Sequence, residues 1–360
     1  MDALPIREAS MFQVAGREVG GDRSFVIYEA GSAHGGDLAK AYDLVDIAVD
    51  AGADAFKLQV RTTESLYTKS YLDRPYDSEN AYGPTYGAHR EALELDISEL
   101  AAVRDYCGHD IACFATAFDH TAVDICMELG FPAIKIASGS VTNTPLLAYA
   151  ARTGVPIFLS TGGCHQKDVH RAVETIRAFN NKLCVMQATA SYPCTWEELD
   201  LAVVHTYTYL YPDCPIGLSS HVSGIAEGPA AYVLGARVFE KHGVANRTDK
   251  GTDAAFSLEP AGFKKFVRDL RRIEVAIGDG RKKRHMSEAD PITKMASSIY
   301  TARKLKAGTV LSPGDICIKS PAAFIPPYEV TNLIGKELLV DVDEETALDW
   351  SVIVDVKERV

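Results

Sequence analysis

Two lysines stand inside apolar runs, Lys57 in AFKLQV and Lys135 in AIKIASG, where a cation needs an anionic partner or a lowered pKa. Thr116, Ser138, Ser160 and Ser219 end or follow runs of the same kind and supply neutral hydrogen-bond donors. Cations and hydroxyls converging on one place suit a phosphate or a carboxylate. An internal salt bridge with Glu29 or Glu240 is the competing reading. His221 and His242 close two successive β-rich runs, GLSSH and RVFEKH. Imidazoles on neighbouring strands can share one divalent ion, although a single strand-end His is ordinarily structural or a general base. With so few protein ligands, the remaining positions would fall to water and substrate, which suits Lewis-acid use. A Lewis acid beside a lysine-lined anion pocket suggests polarising a carbonyl while a phosphorylated nucleophile attacks it. Gln59, Thr161, Thr189 and Tyr192 complete the set of polar residues at the ends of the runs.

The elements that must carry these residues alternate. FVIYEAG, AFKLQV, IACFATAF, PAIKIASG, PIFLSTGG, LCVMQATAS, PIGLSSH and RVFEKHG read as eight strands. Patterns of helical period, such as LAKAYDLVDIAVDAG and VHRAVETIRAFNN, separate most of them. Strands alternating with helices imply parallel pairing, and eight units over roughly 250 residues fit a (β/α)₈ TIM barrel. No GxGxxG follows the first run, which argues against a dinucleotide fold. In such barrels the chemistry lies at the C-terminal strand ends and in the loops beyond them, where these polar residues fall. Residues 1–24 read as an N-terminal extension with a short hairpin, 25–280 as the barrel, 281–296 as a charged linker and 297–360 as a small β-rich domain. The stretch Thr62–Glu94 is a polar, Tyr-rich insertion after the second strand, expected to be a lid or a substrate wall.

Bulk properties narrow the function. The 360 residues are 47% hydrophobic and 24% charged, with a formal net charge of −12, which argues against a nucleic-acid binder. Eight cysteines form no CxxC pair and read as reduced core residues of a cytoplasmic protein. No N-terminal apolar segment and no apolar run of membrane length occurs, so neither export nor a membrane partner is expected.

The runs YEAGSAHGGDLAKA, AGADAFKLQ, TYGAHREALEL, FATAFD, KIASGSVTNTPLL, LSTGG, SYP, GLSSH and SLEP, in this order, resemble the sialic acid synthase family. That family includes the N-acetylneuraminate, legionaminate and pseudaminate synthases and a spore-coat polysaccharide enzyme. TARKLKAGTVLSPGDICIKSP resembles its C-terminal antifreeze-like (SAF) domain. The resemblance implies a transferase that joins phosphoenolpyruvate to an open-chain sugar aldehyde, releases phosphate, and works as a domain-swapped homodimer. By the same resemblance, Lys57, Thr116, Lys135, Ser138, Ser160 and Ser219 would hold phosphoenolpyruvate, and His221 and His242 would bind Mn²⁺ or Mg²⁺. Glu29 would position or protonate the aldehyde oxygen or a water. Gln59, Tyr192 and Asp253 would line the sugar site, and Thr189 would join the substrate contacts. The catalytic set is then Glu29, Lys57, Lys135 and His242.

The departures from the family pattern cluster on the sugar side. Ser140 and Ser220 stand where the family has acidic residues, Ala190 and Ala33 where it has Asn, Gln187 where it has His, and Ser320 where it has Arg. An acceptor other than N-acetylmannosamine is therefore expected. Two alternatives stay open: an aldolase or other lyase acting in the same pocket, and a non-catalytic homologue that binds a sugar or phosphate.

Overall fold

A computed structural model describes residues 11–356, and these divide into two compact units, one through Asp279 and one from Gly280. The first is a closed barrel of eight parallel strands. Its strands are β1 (Phe25–Glu29), β2 (Ala55–Val60), β3 (Ala112–Ala117), β4 (Ile134–Ile136), β5 (Ile157–Ser160), β6 (Leu183–Ala188), β7 (Ile216–Ser220) and β8 (Val238–His242). Almost every strand residue is buried, as expected of parallel strands covered by helices outside and packed side chains within. β8 pairs with β1 and closes the ring.

Each strand is followed by a helix that returns the chain: α1 (Leu38–Ala51), α2 (Ile97–Cys107), α3 (His120–Glu128), α4 (Thr144–Arg152), α5 (Gln166–Arg177), α6 (Ala202–Leu210), α7 (Glu227–Val233) and α8 (Pro260–Ala276). Local chemistry sets their ends. The Asp37 carboxylate accepts from the amides of Ala39 and Lys40 at the start of α1, and Gly52 closes it in the left-handed region at φ 79°. Asp96 and Glu99 form a capping box on α2.

The hairpin before the barrel pairs Phe12–Val14 with Arg17–Val19 through a two-residue loop, Ala15 and Gly16, both at positive φ. That is the primed turn whose twist suits a hairpin. Its Phe12 ring packs edge-on against Phe158 at 6.0 Å, while Phe25 and Phe114 stack on the same ring at 5.8 and 5.3 Å. These aromatics lie on the N-terminal side of the barrel interior and leave the C-terminal side to polar residues.

The second unit has its own core, in which Ile299, Leu311, Ile325, Leu338 and Leu348 are buried together. It contains two small antiparallel sheets, Ser298–Thr301 with Ile316–Lys319 and Glu337–Leu338 with Ile353–Val354. The charged stretch expected as a linker carries the helix Ala289–Met295. Pro291 sits in its first turn, where the missing N–H is not needed. The carbonyl of Thr293 accepts from Ala322, which ties this helix to the β-rich unit. No helix among the described residues is long and apolar enough to cross a membrane.

Candidate active site

Strand register assembles the site. Glu29 lies opposite Lys57 across β1 and β2, Thr116 lies opposite Lys135 across β3 and β4, and Ser219 lies opposite Glu240 across β7 and β8. These side chains point into one cavity of about 410 Å³. Lys57 donates to Thr116 Oγ1 at 2.7 Å and lies 2.5 Å from Glu29 Oε2 and 3.7 Å from Glu240 Oε2. Lys135 lies 3.8 Å from Glu240 Oε1 and donates to the carbonyl of Ile136. Ser219 donates to Glu240 at 3.0 Å.

The floor is thus two ammonium groups against two carboxylates, all four 5% exposed or less. The internal salt bridge and the lysine-lined cavity coexist. Burial brings the Lys135 ammonium down to about 8, with Glu240 opposing the shift and Lys57 adding to it. Burial pushes Glu240 up, but Lys135 and Lys57 outweigh it and hold its carboxyl below the usual range. The Ser160 hydroxyl is buried without a hydrogen-bond partner. A buried donor left unused near two buried ammonium groups is what an anion would satisfy. Ser138 accepts from the Gly162 amide at 2.9 Å. A Cβ at Gly162 would come within 2.9 Å of both Ser138 Oγ and the Ala190 nitrogen, so glycine lets these loops close on the cavity.

His221 and His242 face each other with ring centres 5.4 Å apart. The Nδ1 atom of His221 lies 2.7 Å from the Thr189 carbonyl, so it carries the proton and Nε2 keeps its lone pair. Burial, with help from His242, lowers His221 to about 3, which keeps the ring neutral and competent as a ligand. Among the described residues no group of three or more His, Cys, Asp or Glu side chains is arranged to hold a metal ion. Two neutral imidazoles would hold a divalent cation only with further ligands from water and substrate. Asp253 Oδ2 lies 3.6 Å from His242 Nδ1, and Tyr192 lies against His221 at 4.2 Å between ring centres. Burial pushes the Tyr192 phenol up, so it stays neutral.

Glu29, Lys57, Gln59, Thr116, Lys135, Ser138, Ser160, Tyr192, Ser219, His221, His242 and Asp253 line this single cavity. Thr189 does not. Its hydroxyl donates to the Glu198 carbonyl, and only its backbone serves the site, by holding His221. The chain turns after β6, and the inward alternation ends there. Thr161 is likewise turned away, bonded to the Met186 carbonyl and Tyr207. Ser220 points outward, where it and the buried Lys241 meet Glu227. Lys241 also donates to the Val222 carbonyl at 2.6 Å and so holds the turn that carries His221.

Arg61, Arg90, Ser32 and Thr252 line the cavity without having been singled out from the sequence. Arg61 was findable, because it continues the every-second-residue face of Lys57 and Gln59 past the end of β2. Arg90 comes from the Tyr-rich insertion. There Tyr67, Tyr71, Tyr76 and Tyr86 pack on one another, and Tyr82 donates to the Lys250 carbonyl in the loop after β8. The insertion is a braced wall of the site.

The chain matches the NeuB family over residues 44–282 and the SAF domain over residues 296–354. It is 35% identical to a human N-acetylneuraminate-9-phosphate synthase, with 92% of this chain and 94% of that protein covered. It is 31% identical to an N,N'-diacetyllegionaminic acid synthase of Legionella pneumophila, with 91% and 94% covered. A solved structure of the spore coat polysaccharide biosynthesis protein SpsE of Bacillus subtilis superposes with a TM-score of 0.66 at 29% identity, covering 96% of this chain and 99% of that one.

Proposed function

The chain belongs to the NeuB family, and we propose that it condenses phosphoenolpyruvate with an open-chain sugar aldehyde, acting as a carbon–carbon bond-forming transferase that releases inorganic phosphate. The observation that carries this reading is the cavity floor, where Lys57 and Lys135 are buried with Thr116, Ser138, Ser160 and Ser219 around them.

On the floor each ammonium already faces a carboxylate. A phosphate and a carboxylate entering this neutral, desolvated place need more positive charge. A divalent cation, Mn²⁺ or Mg²⁺, on His221 and His242 would supply it and would polarise the aldehyde carbonyl. The residues do the rest. Lys57, Lys135 and Ser160 hold the phosphate and carboxylate so that C3 of the enol faces the aldehyde carbon. The π pair of the enol forms the new C–C bond, and the carbonyl pair moves to the aldehyde oxygen, which takes a proton. Water adds to the cationic C2 and loses a proton. The tetrahedral C2 then expels phosphate together with its bridging oxygen, and its hydroxyl gives its proton to the departing phosphate as it becomes the keto group. Glu29, fixed by the Gln59 amide at 2.7 Å, lies beside the reacting oxygens as a proton acceptor or as a hold for the water. Lysines near two anionic groups stabilise charge that shifts between them. Tyr192, Gln59 and Asp253 meet the sugar hydroxyls. The antifreeze-like unit is proposed to close the barrel of a partner subunit in a homodimer, which the mass of the particle in solution checks.

The test is phosphate release from phosphoenolpyruvate carrying ¹⁸O in the bridging position. Release should require both an aldose and a divalent cation, and the label should leave with phosphate. Release without aldose, or label retained in the organic product, overturns the reading. One observation favours a second reading. Lys135, lowered to about 8, is closer than an ordinary lysine to a nucleophilic amine able to form a Schiff base with pyruvate. Borohydride trapping with pyruvate should leave Lys135 unmodified if condensation is correct, and a trapped adduct would turn the assignment to an aldolase.

A further inference from the structure

A line of polar contacts runs from Lys57 through Glu29, Gln59 and Arg61 to Glu94, and one member of it has two ways to face. Lysine and arginine only donate and a carboxylate only accepts, whereas a side-chain amide donates at one end and accepts at the other. A half-turn exchanges those ends. Gln59 Nε2 donates to Glu29 Oε1 at 2.7 Å, and Gln59 Oε1 accepts from the Arg61 guanidinium. Turned over, the amide would set its oxygen against the carboxylate and its NH₂ against the guanidinium, and both hydrogen bonds would be lost. The two neighbours therefore select one orientation, but they do not hold it equally. Glu29 faces the reacting oxygens and exchanges partners as substrate arrives. Arg61 keeps its charge throughout. It is itself well anchored: 5% exposed, with Nε 3.3 Å from Glu94 Oε1 and the guanidinium over the Phe118 ring at 4.4 Å.

We propose that Arg61 is a positioning residue that acts through Gln59. It locks the amide with its NH₂ toward Glu29, whatever Glu29 is bonded to. Glu29 uses one N–H of that NH₂, and Gln59 lines the cavity, so the second N–H is left for a substrate oxygen. Gln59 thus presents a donor, never an acceptor, to the sugar. The effect on turnover rests on the condensation reading; the locked amide does not.

Nuclear magnetic resonance of protein carrying ¹⁵N in its glutamine side chains reads the lock apart from turnover. The Gln59 signals are identified by their loss in Gln59→Ala. Glu94→Gln is the reference, so that removing Arg61 strands no carboxylate. Against it, Arg61→Met with Glu94→Gln should speed solvent exchange of the Gln59 NH₂ at least ~10-fold, as expected when one charge-assisted hydrogen bond is lost. Arg61→Lys, which also only donates, should recover part of the protection. In phosphate-release assays Arg61→Met on the reference should lower kcat ~10-fold, with phosphoenolpyruvate affinity by calorimetry unchanged. In a Gln59→Ala background the same change should cost nothing further. Equal losses in both backgrounds would show that Arg61 does not act through Gln59, and an exchange rate indifferent to Arg61 would show that there is no lock. Condensation with such an indifferent amide leaves the proposed reaction standing and this inference refuted. A locked amide in a protein that releases no phosphate does the reverse.

Discussion

Replacing Lys57 by Met separates two roles that the cavity floor joins. The ammonium lies 2.5 Å from Glu29 and 3.7 Å from Glu240, and all three groups are buried. It neutralises two buried carboxylates. Breaking a buried pair by removing one partner costs ~3–5 kcal/mol. A unit of this size loses roughly 2–4 °C of Tm per kcal/mol, so Lys57→Met should melt roughly 6–20 °C lower. Adding Glu29→Gln to that variant removes the stranded charge and should restore much of the loss, since Gln fills nearly the same volume. Phosphoenolpyruvate should behave differently. The lysine's charge-assisted contacts contribute ~1.5–3 kcal/mol, so affinity should fall by ~10- to 150-fold in the single variant and stay low in the double variant. Differential scanning calorimetry and titration calorimetry read the two quantities separately. A single variant as stable as the parent would show that the pair is not held as described. A double variant that regains phosphoenolpyruvate affinity would show that Lys57 acts only as structural ballast for Glu29.

Three further outcomes follow from the geometry. Burial lowers His34 to about 4, and its Nδ1 accepts from the Gly36 amide; the unfolded chain therefore binds a proton below ~6.5 that the folded one refuses, so stability should fall as pH drops from ~6.5 toward 4. His34→Gln should flatten that part of the curve in urea titrations at successive pH values, and an unchanged slope would contradict the burial argument. Lys241, wholly buried beside Glu227 at 2.5 Å, should cost ~3–5 kcal/mol on replacement by Met, with Glu227→Leu on top recovering stability but not the hold on the Val222 carbonyl; weaker Mn²⁺ binding in the stable double variant, followed by electron paramagnetic resonance, is the expected mark of a loosened His221 turn. Gly162→Ala forces a Cβ to within 2.9 Å of the Ala190 nitrogen, which cannot yield as a side chain could; a penalty of ~1–3 kcal/mol and weaker phosphoenolpyruvate binding should follow, whereas a neutral result would mean the loop shifts freely.

Why some of the site was legible and some was not comes down to which periodicity governs each residue. Inside a strand the alternation of faces is rigid, so Lys57 and Gln59 on β2, and Glu240 and His242 on β8, could be assigned to the barrel interior from their spacing alone. The same rule, carried further, places Lys241 between the last two and therefore outside, against Glu227, where it braces the active face from behind. Attention to chemistry at the strand ends hides such a residue, because it contributes only through packing. Past the strand end the rule weakens unevenly. Arg61 still obeys it, whereas Thr189, one residue after β6, already turns its hydroxyl to Glu198. Nothing local distinguishes the two; what differs is the return path, since β2 leads into an insertion that folds back over the cavity and β6 leads into a loop that folds beside it. Arg90 belongs to the insertion and obeys no strand rule at all. Its place depends on Tyr67, Tyr71, Tyr76 and Tyr86 packing together within the insertion and on Tyr82 reaching the Lys250 carbonyl, 168 residues further along the chain. The anion floor is thus written in short-range pattern and the rim in long-range packing. The resemblance to known synthases takes in part of that wall as well, since TYGAHREALEL carries Arg90 and Glu94; what local pattern hides is their place over the cavity.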